Sequence, residues 1–259
     1  MPHSRNNPEE TRGQKGTQSI NRAVAIIRSV VNYNDKGGVR LSTLARDIGL
    51  HVATARRILQ VLVQEGLILQ DPFSKLYYPG LELFSLGMRA RQFTIIEKYR
   101  TALERIAHET GDTVFLLIRS GHDAMCIDRV EGTFPIKALT VDVGARRPLG
   151  IGPGSLSLIA FLPEAQFEEI LKANERRYPY YRNLTSNDIR RLAEKARRIG
   201  YVATESVFYE GAISLGVPIY NRGNEVVAAI TVSSIPQRMR PKRRREIAQI
   251  IKRISSEYC

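Results

Sequence analysis

The sequence predicts an α+β chain in two folded parts: an N-terminal winged helix-turn-helix domain and, beyond a linker helix, a larger domain of strands and helices. Three observations carry this expectation. Leu41 to Leu62 supplies what two short crossing helices need, Ala45 where they touch and Gly49 where the chain turns. Two β-rich runs around Asp71-Pro72-Phe73-Ser74 follow at once, as a wing would. The 259 residues exceed one typical domain of about 100–150 residues.

The elements follow in order. Residues 1–16, rich in Pro, Asn, Gly and charge, read as a disordered leader before a domain spanning 17–80. From Ser19 the apolar spacing Ile20, Val24, Ile27, Val31 predicts a helix, stopped by Asn34-Asp35-Lys36-Gly37-Gly38. An extended Val39-Arg40-Leu41 leads to Ser42, an N-cap for a helix Thr43–Ile48, and a second helix runs from Val52 to Gln64. Its inner face is Ala55, Ile58, Leu59 and Leu62. Strands are predicted at 67–70 and 75–78, a linker helix at 81–92, and a helix at 95–109 in the 93–259 domain. Strands at 113–119, 124–130 and 136–141 come next, then the loop Gly150-Ile151-Gly152-Pro153-Gly154 opening a helix at 155–161. Helices at 164–174 and 186–199, strands at 201–204, 212–220 and 225–233, and a last helix at 242–258 complete the chain.

Composition narrows the function. The chain carries 39 basic and 26 acidic side chains, net +13, which favours polyanionic partners, nucleic acid before anionic membrane. The longest apolar stretch, Val226–Val232, is interrupted by Thr231 and falls far short of the roughly 20 residues a membrane span needs. With two cysteines, Cys126 and Cys259, and no CxxC pair, neither a disulfide nor a zinc scaffold is expected, and a reducing cytoplasm is the expected home. The polar N-terminus lacks the apolar core of an export signal.

On the second helix, Val52, Ala53, Thr54, Arg56, Arg57 and Gln60 face outward near the N-terminal end, the part such motifs place in the major groove. Arg56 or Arg57 can pair bidentately with guanine, and the Thr54 methyl can touch thymine. Arg40, Lys75 and Tyr77 are placed to hold phosphates from the flanking strand and wing, with Ser42 and Thr43 beside them at the first helix. The alternative is that a small-residue crossing is common and exposed arginines only solubilise a helix.

In five blocks the chain resembles the IclR family of bacterial transcriptional regulators: SINRAVAIIRSV (Ser19–Val30), LARDIGLHVATARRILQVLVQEGLI (Leu44–Ile68), VGARRPLG (Val143–Gly150) with LSLIAFLP (Leu156–Pro163), RIGYVATES (Arg198–Ser206) and GAISLGVPIYNRGNEVVAAITVSS (Gly211–Ser234). The resemblance implies a winged DNA-binding domain, a linker helix that helps dimerise, and a GAF-like effector domain whose antiparallel sheet, flanked by helices, encloses a small-molecule pocket. Carried over by motif position, the pocket residues are Leu139, Pro153, Gly154, Ser155, Thr204, Ser214, Thr231 and Ser233. Thr231 and Ser233 share a strand face, and their hydroxyls, with N–H groups at the start of the 155–161 helix, suit a carboxylate. A small organic or aromatic acid is the implied effector. Relatives show a PLHATxxGKA-like stretch where this chain has PLGIGPGSLS, so Gly150 replaces His, Ser155 Gly, and Leu156 Lys. Thr204 stands where relatives often carry an acid.

Together these readings predict a DNA-binding regulator, a homodimer or homotetramer on a double-stranded, pseudo-palindromic operator, with no cofactor, no metal and no catalytic residue. Ser155 lacks the GxSxG setting of a nucleophile and is expected to cap its helix; His122 and Cys126 lack further ligands for zinc, and His122 reads as a solvated turn residue. Six basic residues between Arg238 and Arg245 read as a solvated face, an auxiliary DNA contact, or a docking point for an acidic neighbour. Two other classes stay open: an enzyme acting on a small acid in the C-terminal cavity, and a non-specific architectural DNA binder.

Overall fold

A computed structural model describes residues 8–89, 93–205 and 210–258. It divides into two compact units, residues 1–91 and 92–259. No described helix is long and apolar enough to cross a membrane.

In the first unit, α1 (Pro8–Asn32) packs on α2 (Leu41–Ile48) and α3 (Val52–Gln64). The helix begins at Pro8, so residues 8–16, expected as a leader, form its first turns. Residues 1–7 of the expected leader lie outside the described ones. The buried stripe is Ile26 and Val30, whereas Ile20, Val24 and Val31 of the expected face are exposed. Both stripes have helical spacing, so periodicity alone could not choose between them.

The crossing forms as the small residues require. Ala45 is buried, and Gly49 ends α2 at φ 68°, with its N–H and that of Leu50 returned to carbonyls of α2. The residue ahead of α2 is Arg40, with no side-chain cap, so Ser42 lies inside the helix instead of capping it. Strands β1 (Ile68–Gln70) and β2 (Tyr77–Pro79) pair antiparallel, and Val39 adds a bridge to Tyr77. At the wing turn Asp71 Oδ1 accepts from the backbone N–H groups of Phe73 and Ser74 and from Ser74 Oγ, at 3.1, 2.6 and 2.7 Å. These bonds, that of the Ser74 N–H first, hold the Asp71 carboxyl below its usual range. α4 (Leu81–Arg89) follows; residues 90–92 of the expected linker lie outside the described ones.

The second unit is built on a six-stranded antiparallel sheet. Its strands are β3 (Thr113–Ser120), β4 (Asp123–Val130), β5 (Arg146–Pro148), β6 (Val202–Glu205), β7 (Ile213–Tyr220) and β8 (Val226–Ser234), in the order β5-β4-β3-β8-β7-β6. α5 (Phe93–Thr110) and α9 (Pro241–Ser256) cover the face that carries Val114, Leu116, Leu215, Ile230 and Val232. α6 (Pro153–Ser157), α7 (Glu164–Asn174) and α8 (Ser186–Ile199) cover the other, which carries Phe115, Leu117 and Ala229. Residues 136–141, expected as a strand, form a loop: the place beside β4 is taken by Arg146–Pro148, which left 136–141 no partner.

The basic run is largely tied down inside this unit. Asp112, 3% exposed, accepts from Arg238 Nε at 2.9 Å, Arg243 at 2.7 Å and Ser234 Oγ at 2.7 Å. Both guanidiniums also bond the Thr110 carbonyl, an orphan acceptor at the end of α5, and Arg238 stacks on the Phe134 ring at 4.0 Å. Arg240, Lys242 and Arg245 stay exposed.

Candidate functional site

Two places concentrate functional chemistry, one in each unit. In the first, Ala55, Leu59 and Leu62 turn α3 inward, which leaves Val52, Ala53, Arg56, Arg57 and Gln60 exposed and Thr54 half-buried. Arg40, Ser42, Val52, Arg56, Gln60 and Lys75 line one open depression between α2, α3 and the wing. Among the described residues no carboxylate lines it. Arg57 lies outside its wall, as does the half-buried Thr43.

Tyr77 departs from the expectation. It touches the depression, yet its ring is 6% exposed and belongs to the core of this unit. Burial raises its phenol pKa, while the Arg56 charge pulls it down. Its backbone exchanges two hydrogen bonds with Val39, and its side chain packs in the core of this unit. Phe73, 92% exposed at the wing turn, is a projecting side chain the sequence reading passed over; an aromatic in a Pro-Phe-Ser turn was its signal.

In the second unit a narrow cavity opens between α6 and the sheet. It exists because backbone meets backbone closely there. A Cβ on Gly216 would lie 2.5 Å from the Pro153 carbonyl oxygen, and one on Gly154 would lie 2.2 Å from Thr231 Oγ1. Two glycines therefore set α6 closely on β7 and β8, with the narrow cavity beside them.

Of the predicted pocket residues, Pro153, Gly154, Ser155, Ser214 and Thr231 line this cavity. Ser233 sits behind the wall: its hydroxyl meets Ser214 Oγ at 2.7 Å and Thr140 Oγ1 at 3.1 Å. Leu139 is 40% exposed and outside the lining, where its neighbours Thr140 and Val141 take part instead. With no strand formed at 136–141, the alternation that would have turned Leu139 inward is absent. Thr204, opposite Ser214 in the β6–β7 register, is not in the wall either, and its hydroxyl is buried with no partner.

Ser155 does not cap α6, whose N-cap is Gly152. It accepts from the Gly150 N–H at 3.0 Å and donates to the Pro148 carbonyl at 3.1 Å, fastening the glycine loop. Cys126 lines the cavity with its thiol pushed up to about 12, chiefly by burial, which keeps it protonated and unreactive. His122 is exposed. Among the described residues no His, Cys, Asp and Glu cluster could hold a metal.

Arg147 is the wall residue the sequence reading missed. Neighbouring residues of a strand point to opposite sides, and β5 divides its two arginines accordingly. Arg146 lies on the surface, 3.4 Å from Asp123 and bonded to Ser120. Arg147 lines the cavity, with one N–H on the Thr140 carbonyl at 2.5 Å.

Comparison with known proteins agrees with this geometry. The family model "IclR helix-turn-helix domain" matches residues 19–72, and "Bacterial transcriptional regulator IclR C-terminal" matches residues 89–259. The chain is 26% identical over 239 residues to the transcriptional repressor AllR of Klebsiella pneumoniae, covering 91% of this chain and 86% of that one. It is 25% identical over 226 residues to the transcriptional regulator KipR of Bacillus subtilis, covering 85% and 89%. Among solved structures, IclR of Thermotoga maritima superposes with a TM-score of 0.68 at 26% identity, covering 93% of this chain and 97% of that one. An IclR homolog of Microbacterium hydrocarbonoxydans complexed with 4-hydroxybenzoate does so with a TM-score of 0.74 at 22% identity, covering 93% and 98%. With one family model spanning most of the chain and the other its helix-turn-helix, the protein belongs to the IclR family of bacterial transcriptional regulators.

Proposed function

We propose that this protein is a sequence-specific regulator of transcription that works in the cytoplasm as a homodimer or homotetramer, and that a small organic or aromatic acid in the cavity between α6 and the sheet sets its affinity for a pseudo-palindromic operator. The observation that carries the reading is the depression beside α3: three cationic side chains, Arg40, Arg56 and Lys75, line it, with no carboxylate among the described residues of its wall. Arg56 and Arg57 read base edges, with Val52, Ala53, Thr54 and Gln60 against the same groove. Arg40, Ser42, Thr43 and Lys75 hold phosphates and fix the register. Phe73 extends the wing's contact.

Self-association is supported by α4, whose Leu81, Phe84 and Leu86 are 81%, 66% and 53% exposed, more apolar surface than a solvated helix carries without reason. The effector reading is supported by the cavity's mixed wall and by the 4-hydroxybenzoate held by the Microbacterium homolog. An effector acts by binding the DNA-competent and DNA-incompetent arrangements unequally.

The test is an electrophoretic shift on the DNA upstream of the protein's own gene, with a scrambled duplex as competitor and 4-hydroxybenzoate titrated in. A shifted band that resists the scrambled duplex and responds to the acid is the expected result. Equal affinity for both duplexes, falling steeply with salt, would instead identify a non-specific binder.

A further inference from the structure

Phe73, at the turn of the wing, is 92% exposed and lies outside the core of its unit. A lone exposed apolar side chain needs no explanation by itself. This one stands on a fixed mount. Pro72 sets its own φ, and Asp71 Oδ1 accepts from the N–H groups of Phe73 and Ser74 and from Ser74 Oγ. The Asp71 backbone closes the same turn, its carbonyl accepting from the Lys75 N–H and its N–H donating to the Leu76 carbonyl. The backbone under the ring is therefore ordered before anything binds. The ring turns about only two torsions, so gripping it loses little entropy.

Its position matters as much. The next two residues, Ser74 and Lys75, line the depression that Arg40, Arg56 and Gln60 line from the side of α2 and α3. The wing is thus one wall of that depression and α3 the other. A duplex that takes α3 into its major groove lays the bordering phosphate strand along the depression, against Arg40, Arg56 and Lys75. Across that strand lies the neighbouring minor groove, and the wing turn is on that side. An apolar ring has nothing to donate or accept at the base edges there. Between two base pairs it meets their faces, on which an aromatic ring stacks.

We propose that Phe73 is a wedge that enters the minor groove beside its half-site and inserts between two base pairs, unstacking that step and bending the duplex. The step it selects is pyrimidine–purine, because such steps open most readily. This rests on the DNA-binding reading above and adds a specificity-determining residue that touches no base edge. Arg56 and Arg57 read a groove directly, whereas Phe73 reads how easily the step beside it comes apart.

Duplexes enriched by the full chain from a random-sequence pool serve as the probe, with 2-aminopurine placed singly at adenines flanking each half-site. This base is dark when stacked and brightens when its neighbour leaves. Binding brightens one flanking position at a pyrimidine–purine step and bends the duplex by about 20° or more, read by circular permutation. Phe73→Ala binds the same duplex about threefold to tenfold more weakly and loses both the brightening and the bend, whereas Phe73→Leu, which keeps an apolar wedge, retains part of each. The ring lies outside the core, so Phe73→Ala melts with the unaltered chain. Flanking probes that stay dark with the unaltered chain overturn the wedge and leave the regulator standing, as does a Phe73→Ala variant that brightens them undiminished. A pool that yields no enriched sequence removes DNA reading itself, and the wedge with it.

Discussion

Replacing Arg56 and Arg57 with alanine separates recognition from stability more cleanly than any other change in this chain. Both side chains are exposed, and neither has an ion-pair partner among the described residues. The packing of α3 is made by Ala55, Leu59 and Leu62, which the substitutions do not touch, and alanine favours the helix. The cost to folding is therefore within about 0.5 kcal/mol. The cost to binding is larger. A bidentate arginine–guanine pair discriminates by about 1–3 kcal/mol, and a two-fold assembly presents each arginine twice. Losing one such pair per half-site costs about 2–6 kcal/mol, or roughly 30-fold to 10⁴-fold in affinity for the operator. Fluorescence anisotropy against operator and scrambled duplexes, repeated across a salt series, reads this directly. The ratio of specific to non-specific affinity should collapse in the double variant. Arg40→Ala and Lys75→Ala should instead weaken both duplexes alike and flatten the salt dependence by about 0.9 per contact per protomer. A double variant that keeps its operator preference, with an unchanged melting curve, refutes the assignment of base reading to α3.

Two further outcomes follow from the second unit. Asp112→Ala strands two guanidiniums and the Ser234 hydroxyl around a buried site, and because both arginines are partly exposed the loss should be about 2–3 kcal/mol, measured by urea unfolding; a loss under about 0.5 kcal/mol would show the cluster to be ornamental. Cys126 holds its proton in the folded state up to about 12 against 9.0 for an ordinary thiol, so its contribution to stability is constant below pH 9 and falls by about 1.4 kcal/mol per unit above it, as the unfolded chain ionises first. The pH-dependence of unfolding should therefore be shallower in Cys126→Ala above pH 9, and identical slopes for the two proteins would contradict the buried-thiol account.

Where local chemistry decides an element, the sequence carried it. α7 and α8 begin and end where the residues alone placed them, Glu164–Asn174 and Ser186–Ile199. α8 shows why: Thr185 and Asp188 form a reciprocal capping box and Gly200 closes the helix in the left-handed region. The Ala45 and Gly49 crossing was legible on the same ground. What failed was decided at a distance. A strand at 136–141 needed a free edge beside β4, and that edge went to three residues too few to be seen as a strand. The face of α1 depended on which of two apolar stripes met α2 and α3. Family motifs marked Pro153, Gly154, Ser214 and Thr231, but Thr140, Val141 and Arg147 reach the cavity only through a loop and a strand that periodicity did not find.

The net charge of +13 suggested a polyanion partner without saying where it sits, and the structure shows that the carboxylates, more than the bases, decide this. In the second unit the arginines are widely matched: Arg100 with Glu104 and Asp128, Arg105 with Glu257, Arg190 with Glu168, Arg197 with Glu164, Arg253 with Glu109. The densest basic run in the chain gives two of its members to Asp112. Around α3 and the wing there are fewer cations, yet Arg40, Arg56, Arg57 and Lys75 have no such matching among the described residues, and the nearest ion pair in this unit joins Arg46 to Asp47. A matched pair at the surface presents almost no field beyond a Debye length, whereas unmatched cations around a depression add. Unmatched cations beside α3 are therefore what the proposed DNA contact draws on, more than the chain's total charge.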